Sequence, residues 1–279
     1  MEPSPLSRTI PSSGETIPVL GLGTWQTFDV GRGAADRETL ETCLSEFSTI
    51  PGGMIDTSPM YGRSEEVIGD LMAKLGVRDR LFVATKVWTS GKKRGADQME
   101  QSMKKLHIQQ VDLMQVHNLV DVQTHLETIR AWREAGRVRY VGVTHYTAGH
   151  HDDVARVLEA EPVDFVQINY SVAEREADRT ILPLAAERGI AVIVNRPFGG
   201  GNVLGRLSGK PLPGLAADIG CSTWAQLLLK FVISHPAVTC VIPATSKVDH
   251  LRDNMRAAYE PMPDAAMRDE IVAAARAAR

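Results

Sequence analysis

Met54-Ile55-Asp56-Thr57-Ser58-Pro59-Met60-Tyr61-Gly62 is the stretch whose reading decides the fold. Two apolar residues run directly into an acid, and a short polar loop then closes on Tyr-Gly. This is the pattern of a buried strand whose end presents a carboxylate together with a phenol. Two further apolar runs also end on polar chemistry, Leu81-Phe82-Val83-Ala84-Thr85-Lys86 and Asp112-Leu113-Met114-Gln115-Val116-His117. Asp56, Tyr61, Lys86 and His117 therefore fall at the same end of three successive strands. Acid, base and orienting partner gathered at one strand end make the pattern of an active site.

Working outward, a strand and a helix alternate eight times. The strands read at Val19–Gly23, Met54–Ile55, Phe82–Ala84, Leu113–Val116, Tyr140–Val143, Asp164–Ile168, Ile190–Val194 and Val238–Ile242. Between them, apolar residues recur at spacings of three and four, as in Leu40, Cys43, Leu44, Phe47 and in Val67, Ile68, Leu71, Leu75. That spacing is the core stripe of an amphipathic helix. Strands that are short and apolar throughout belong to a parallel sheet covered by helices, and eight of them close a barrel. An open, doubly wound nucleotide-binding sheet would want Gly-x-Gly-x-x-Gly at its first helix, and Gly21-Leu22-Gly23-Thr24-Trp25-Gln26 lacks the third glycine. The expectation is a single (β/α)8 TIM barrel over residues 1–279, an α/β fold. Arg8-Thr9-Ile10 and Glu15-Thr16-Ile17, flanking Pro11-Ser12-Ser13-Gly14, predict an N-terminal β-hairpin that caps the barrel bottom.

The 279 residues suit such a barrel, which typically needs ~250. A net charge of −3 argues against nucleic acid as the main partner. Cys43, Cys221 and Cys240 are far apart and odd in number, so neither a disulfide framework nor a metal knuckle is expected. No stretch reaches the ~18 apolar residues of a membrane span, and Met1 to Leu20 carries no apolar core of signal-peptide length. A cytoplasmic, monomeric enzyme with no bound metal is the expectation. His150-His151-Asp152-Asp153 reads as solvated surface at a helix start. The glycine-rich segment Pro197 to Gly220 reads as an irregular, mobile loop over a ligand. The tail after Pro263 reads as one Ala-rich helix, Ala265 to Ala278, and its shortness predicts an open pocket and loose specificity.

The strand-end motifs resemble those of the aldo-keto reductases over nearly the whole chain. The matching pieces are Gly21-Leu22-Gly23-Thr24-Trp25, Asp56-Thr57-Ser58 with Tyr61-Gly62, Lys86, and Asp112 to His117. Gly142-Val143-Thr144, Gln167-Ile168-Asn169-Tyr170 and Ile242-Pro243 leading to Asn254 follow in order. The resemblance implies reduction of aldehydes or ketones with NADPH, NADH not being excluded, and a small carbonyl compound as partner. Tyr61 would be the general acid. Lys86 would supply a cation to favour phenolate, Asp56 would hold Lys86, and His117 would bond the substrate oxygen. A cofactor-bound regulatory subunit, or a Schiff-base aldolase using Lys86, is the competing reading.

Cofactor contacts implied by the resemblance are Gly23, Thr24, Trp25 and Asp56, with Thr144, His145 and Gln167 at the nicotinamide carboxamide. Arg196, Pro197, Phe198, Gly199 and Gly200 would surround the pyrophosphate. Thr245, Ser246 and Lys247 would join them at the pyrophosphate. Lys247 and Arg252, with the Thr245 and Ser246 hydroxyls, would serve the 2′-phosphate of NADPH, and Asn254 is a further contact. Four places depart from the family's pattern, the first being Thr144-His145-Tyr146 where Ser-Asn is usual after strand five. Val194-Asn195-Arg196 stands where many members place a stacking aromatic residue, Ala244 where they place Lys, and His250 where they place Arg. Trp25, Trp88, Tyr146 and Phe198 are the candidate substrate-facing residues.

Overall fold

The computed structural model describes residues 4–278; residues 1–3 and 279 of the expected 1–279 domain lie outside the described residues. β1 (Ser7–Thr9) and β2 (Thr16–Pro18) pair antiparallel as the predicted hairpin. β3 (Leu22–Gly23), β4 (Gly53–Asp56), β5 (Leu81–Val87) and β6 (Val111–His117) follow. β7 (Val138–Thr144), β8 (Phe165–Asn169), β9 (Ala191–Asn195) and β10 (Cys240–Val241) complete one parallel sheet in sequence order. Isolated parallel bridges, Leu20 to Val241 and Gly23 to Ala244, join its first strand to its last and close the barrel.

The outer ring comprises α1 (Ala34–Phe47), α2 (Ser64–Leu75), α3 (Lys92–Leu106), α4 (Val122–Glu134), α5 (His151–Ala160) and α6 (Ile181–Arg188). Two short helices, α7 (Asn202–Leu207) and α8 (Leu215–Asp218), precede α9 (Trp224–Ile233), α10 (Val248–Arg256) and the tail helix α11 (Ala265–Ala277). α7 and α8 correct the expectation of an irregular loop: Val203, Leu207 and Ala216 are buried and anchor the segment on the core. Buried Lys230 of α9 adds a tie, donating to the carbonyls of Ile219, Tyr259 and Pro261 at 2.8, 2.7 and 2.7 Å. No helix among the described residues is long and apolar enough to cross a membrane.

Strand alternation sorts each strand into an outward and an inward set. Outward residues such as Ile55, Val83, Met114, Val143, Val166 and Val192 pack under the helices. Inward residues form a separate cluster that holds Met54, Phe82, Leu113, Tyr140, Phe165, Ala191 and Ile193. Ile10 and Ile17 of the hairpin region belong to that cluster, so the hairpin seals the lower mouth. Phe82, Tyr140 and Phe165 pack ring against ring at 5.5–5.9 Å between centroids. The same alternation carries the inward phase up to Asp56, Lys86, Gln115, His117, Thr144, Gln167 and Asn195. An apolar plug therefore lies beneath a polar layer, and the site rests on a dry floor.

α2 and α3 touch most closely at Gly69, where an added Cβ would lie 2.0 Å from the Lys105 carbonyl oxygen. Backbone cannot yield as a side chain can, so Gly69→Ala is expected to destabilise the fold by about 3 kcal/mol, the upper end of ordinary overpacking. Urea unfolding measures this. A variant as stable as the parent would show that α2 and α3 can separate freely.

Candidate active site

The polar layer is built around one buried ion pair. Lys86 Nζ stands 2.6 Å from Asp56 Oδ2 and 2.7 Å from the Thr57 carbonyl, and both side chains are buried. Asp56 Oδ1 accepts from Gln167 Nε2 at 2.9 Å and Gln115 Nε2 at 3.1 Å, so each carboxylate oxygen has a donor. A buried pair is tolerable only when its remaining hydrogen-bonding capacity is met in this way. Burial opposes the Lys86 charge, but Asp56 and the Tyr61 phenol outweigh it, and the ammonium titrates above its ordinary range. A hydroxyl relay fixes the strand end beneath: Thr57 Oγ1 donates to Ser64, Ser64 to Thr24, and Thr24 to the Asp56 carbonyl, at 2.9–3.0 Å.

Tyr61 reaches over this pair from the loop after β4, with Lys86 Nζ 5.0 Å from its ring centroid. The Tyr-Gly pairing has a steric cause. Gly62 takes φ +58°, and a Cβ there would collide with the Asp29 carboxylate at 2.2–2.4 Å. Burial raises the Tyr61 phenol above its ordinary value, and the Lys86 charge opposes that rise. His117 meets Tyr61 edge-on at 6.1 Å between centroids. Burial, with Lys86 and His145 nearby, drops the imidazole to about 3, so it is neutral near pH 7. Its Nδ1 lies 3.1 Å from Ser58 Oγ, a partner not foreseen from the sequence although Ser58 sits within the decisive stretch.

A cavity of about 810 Å³ opens above these groups, within the range of ~300–1,000 Å³ usual for ligand sites. Tyr61, His117, Thr144, Gln167, Arg196, Pro197, Phe198 and Gly200 line it, as do Gly23, Thr24, Trp25, Asp56, Thr245 and Asn254. Trp88 and Tyr146 join Trp25 at its wall, all three exposed to solvent. Lys86 lies beneath the floor rather than in it. Among the described residues, no group of three His, Cys, Asp or Glu side chains is arranged for a metal ion.

Several expected contacts lie elsewhere. Thr144 points inward, so His145, next in the strand direction, points away; its ring packs on Tyr146 at 5.6 Å and on His150 at 4.1 Å. Gly199, Ser246 and Lys247 are also outside the lining. On α10, His250, Asp253 and Asn254 share the cavity face at i, i+3 and i+4. Arg252 falls on the opposite face and grips Glu46 of α1 with two bonds of 2.6 and 2.9 Å. The pair His150-His151 is likewise not plain surface. His151 is buried, with Nε2 3.1 Å from Asn169 Oδ1, because α5 begins at that residue and turns it inward.

Three of the six non-glycine residues with positive φ, and four of the twelve unmet buried polar atoms, among the described residues belong to the cavity wall. Gln26, Asn118 and Arg196 line it with φ of +61°, +52° and +50°, backbone conformations that cost non-glycine residues energy. Thr27 Oγ1, Asn118 Oδ1, Asn195 Oδ1 and Arg196 Nε are buried without a partner, and all four residues line the same cavity. Such atoms are rare unless a ligand is to meet them. A cavity of this volume with unpaired donors and acceptors in its wall has room and partners for the dinucleotide that the resemblance implies.

Comparison with known proteins agrees with this geometry. The family model described as "Aldo/keto reductase family" matches residues 19–272. The chain is similar to the aldo-keto reductase YhdN of Bacillus subtilis, 28% identical over 72% of this chain. That alignment spans 64% of the length of YhdN. It is also similar to the methylglyoxal reductase YeaE of Escherichia coli, 26% identical over 88% of each chain. Among solved structures, an aldo-keto reductase from Klebsiella pneumoniae in complex with NADPH superposes with a TM-score of 0.77. It is 24% identical, over 97% of this chain and 94% of its own.

Proposed function

The chain belongs to the aldo/keto reductase family, and from that premise we propose that it reduces the carbonyl of aldehydes and ketones with NADPH, Tyr61 being the proton donor. The observation that carries this reading is the buried Lys86–Asp56 pair set directly beneath Tyr61, with neutral His117 at the ring's edge. NADPH, when bound, supplies the hydride. The chain's own residues do the rest. Burial keeps the phenol protonated at neutral pH, and Lys86 stabilises the phenolate left once the proton has gone to the alkoxide. Proton transfer by a positioned group of this kind contributes about 10²–10⁴ in rate.

Ser58 Oγ accepts from the Met60 amide, which leaves its hydrogen free to donate to His117 Nδ1. Nε2 then carries the imidazole proton and donates to the substrate oxygen, an interaction that strengthens as the oxyanion develops. The reading assigns the cofactor's pyrophosphate to the segment from Arg196 to Gly201, and its adenosine end to Thr245 and Asn254. Ser246 and Lys247, beside the start of α10, are the remaining candidates for the 2′-phosphate; Arg252 would first have to leave Glu46. Trp25, Trp88, Tyr146 and Phe198 would enclose the substrate's apolar part.

The test is spectrophotometric. NADPH and NADH oxidation is followed with methylglyoxal and a panel of aromatic aldehydes. Aldehyde-dependent oxidation is expected, faster with NADPH. Tight cofactor binding with no turnover of any aldehyde would sink the reductase reading and favour a regulatory one.

A pH profile follows from the same two groups. His117, at about 3, has lost its charge throughout the working range, and Tyr61 titrates above the ordinary phenol value of ~10. Reduction needs the protonated phenol, so kcat/KM is expected to stay level from roughly pH 5 to 9 and to fall only as Tyr61 ionises. A limb near pH 6–7 that disappears in His117→Ala would instead make the imidazole the acid.

A further inference from the structure

We propose that Gln98 of α3 is a positioning residue for the substrate. By clamping the backbone of Trp88 it fixes that indole as a wall of the cavity, which favours aryl aldehydes and ketones over small ones. This rests on the reading that a carbonyl substrate lies against that wall, and it gives a role to a residue outside the cavity lining. Among the described residues, the large hydrophobic side chains left exposed are Trp25, Met60, Trp88 and Tyr146, and all four line the cavity. Apolar surface confined to one concave place is suited to the apolar body of a ligand. Trp88 opens the four-residue connection from β5 to α3, two positions beyond Lys86.

Such a connection is ordinarily mobile, but here a side chain holds the backbone of each of its residues. The Trp88 amide donates to Gln98 Oε1 at 2.6 Å, and Gln98 Nε2 donates back to the Trp88 carbonyl at 3.2 Å. One carboxamide thus meets both backbone groups of the residue, so turning either peptide breaks a bond. Buried His125 places Nε2 2.6 Å from the Thr89 carbonyl, which can only accept, so the imidazole hydrogen sits there. Gly95 makes room for that ring: a Cβ on it would lie 2.3 Å from the imidazole. Arg94 Nε donates to the Ser90 carbonyl at 2.7 Å, and the Gly91 amide donates to Asp121 Oδ2 at 2.6 Å. Of these side chains, Gln98 is the one that grips Trp88 itself. The segment is ordered before any ligand arrives, so a substrate packing on the indole does not bear the cost of ordering it.

The experiment measures steady-state reduction of naphthaldehyde and of propanal at saturating NADPH. Gln98→Leu keeps the size of the side chain and loses both bonds. It is expected to raise KM for naphthaldehyde about tenfold, the scale of two modest hydrogen bonds, and to change kcat and the KM for propanal by less than about twofold. In a Trp88→Ala background the same substitution is expected to have no further effect, because the side chain it positions is gone. A KM that rises equally for both aldehydes or for neither, or a naphthaldehyde KM that Gln98→Leu still raises without the indole, overturns the proposal. If Gln98→Leu does not fold, Gln98→Glu, which keeps an acceptor for the Trp88 amide and loses the donor, carries the same comparison with a smaller expected rise. Amide exchange at Trp88 is read beside the kinetics and is expected to be slow in the wild type and fast in Gln98→Leu. An amide that exchanges freely in the wild type removes the clamp, whether or not the protein turns over. A wild type that protects this amide yet reduces neither aldehyde overturns the reductase reading, and the substrate role of Gln98 with it.

Discussion

Tyr61→Phe is expected to lower kcat/KM for aldehyde reduction by about 10²–10⁴ while leaving NADPH affinity unchanged. The substitution removes one oxygen, whose partner is the Lys86 ammonium, while the ring keeps its edge contact with His117 and its position over Lys86. Burial raises the phenol and so keeps it protonated near pH 7, while neighbouring His117, lowered to about 3, carries no excess proton there. Initial rates of NADPH oxidation, beside a fluorescence titration of the cofactor, separate the two effects. A variant that turns over at a tenth of the parental rate or faster would assign the proton to another group, with His117 or a water as the next candidates.

Lys86→Met tests the other half of the site and should fail in two ways. The ammonium is fully buried, and its removal strands the Asp56 carboxylate in a layer closed off below by Phe82, Tyr140 and Phe165. Breaking a buried pair from one side costs about 3–5 kcal/mol. Chemical denaturation should show that loss, and turnover should fall with it. The double variant Asp56→Asn with Lys86→Met removes both charges and is expected to regain most of the stability and none of the activity. Activity that returned with stability would mean the pair serves the fold and not the reaction.

The strand ends were legible because parallel-barrel strands are apolar for most of their length, so a polar residue at the finish stands out. Asp56, Lys86 and His117 announce themselves in that way, and Asn195 does so equally, closing Ala191-Val192-Ile193-Val194. The resemblance points at that position to an aromatic residue, which this chain lacks, and not to an amide. The inward and outward phase was harder to read. His145 follows Thr144 in a motif and looks equivalent to it, yet one step along a strand reverses the side chain, and only the register fixes which of the two faces the cavity. Helical facing hid Arg252 in the same manner, since two positions from His250 is the far side of α10, where Glu46 waits on α1. Glycines masked α7, because short helices held by a few buried residues leave too little periodicity to detect. Ser58 was visible in the sequence, but its role depends on a cross-strand distance that no spacing reveals.

β3 and β10 are each only two residues long, and the seam between the two ends of the sheet is closed by Val241 donating to the Val19 carbonyl, Gly21 to that of Val241 and Gly23 to that of Pro243, at 2.8–3.0 Å. Gly23, Thr24 and Trp25 line the cavity from one side of that seam, and Ile242, Ala244 and Thr245 from the other. A dinucleotide held as proposed would span the place where the two ends of the sheet are joined and would act as a clasp. Any ligand that prefers the closed state adds stability with concentration, about 4 kcal/mol at a thousandfold excess over Kd. A cofactor titration is then expected to raise the midpoint of thermal unfolding steadily with concentration.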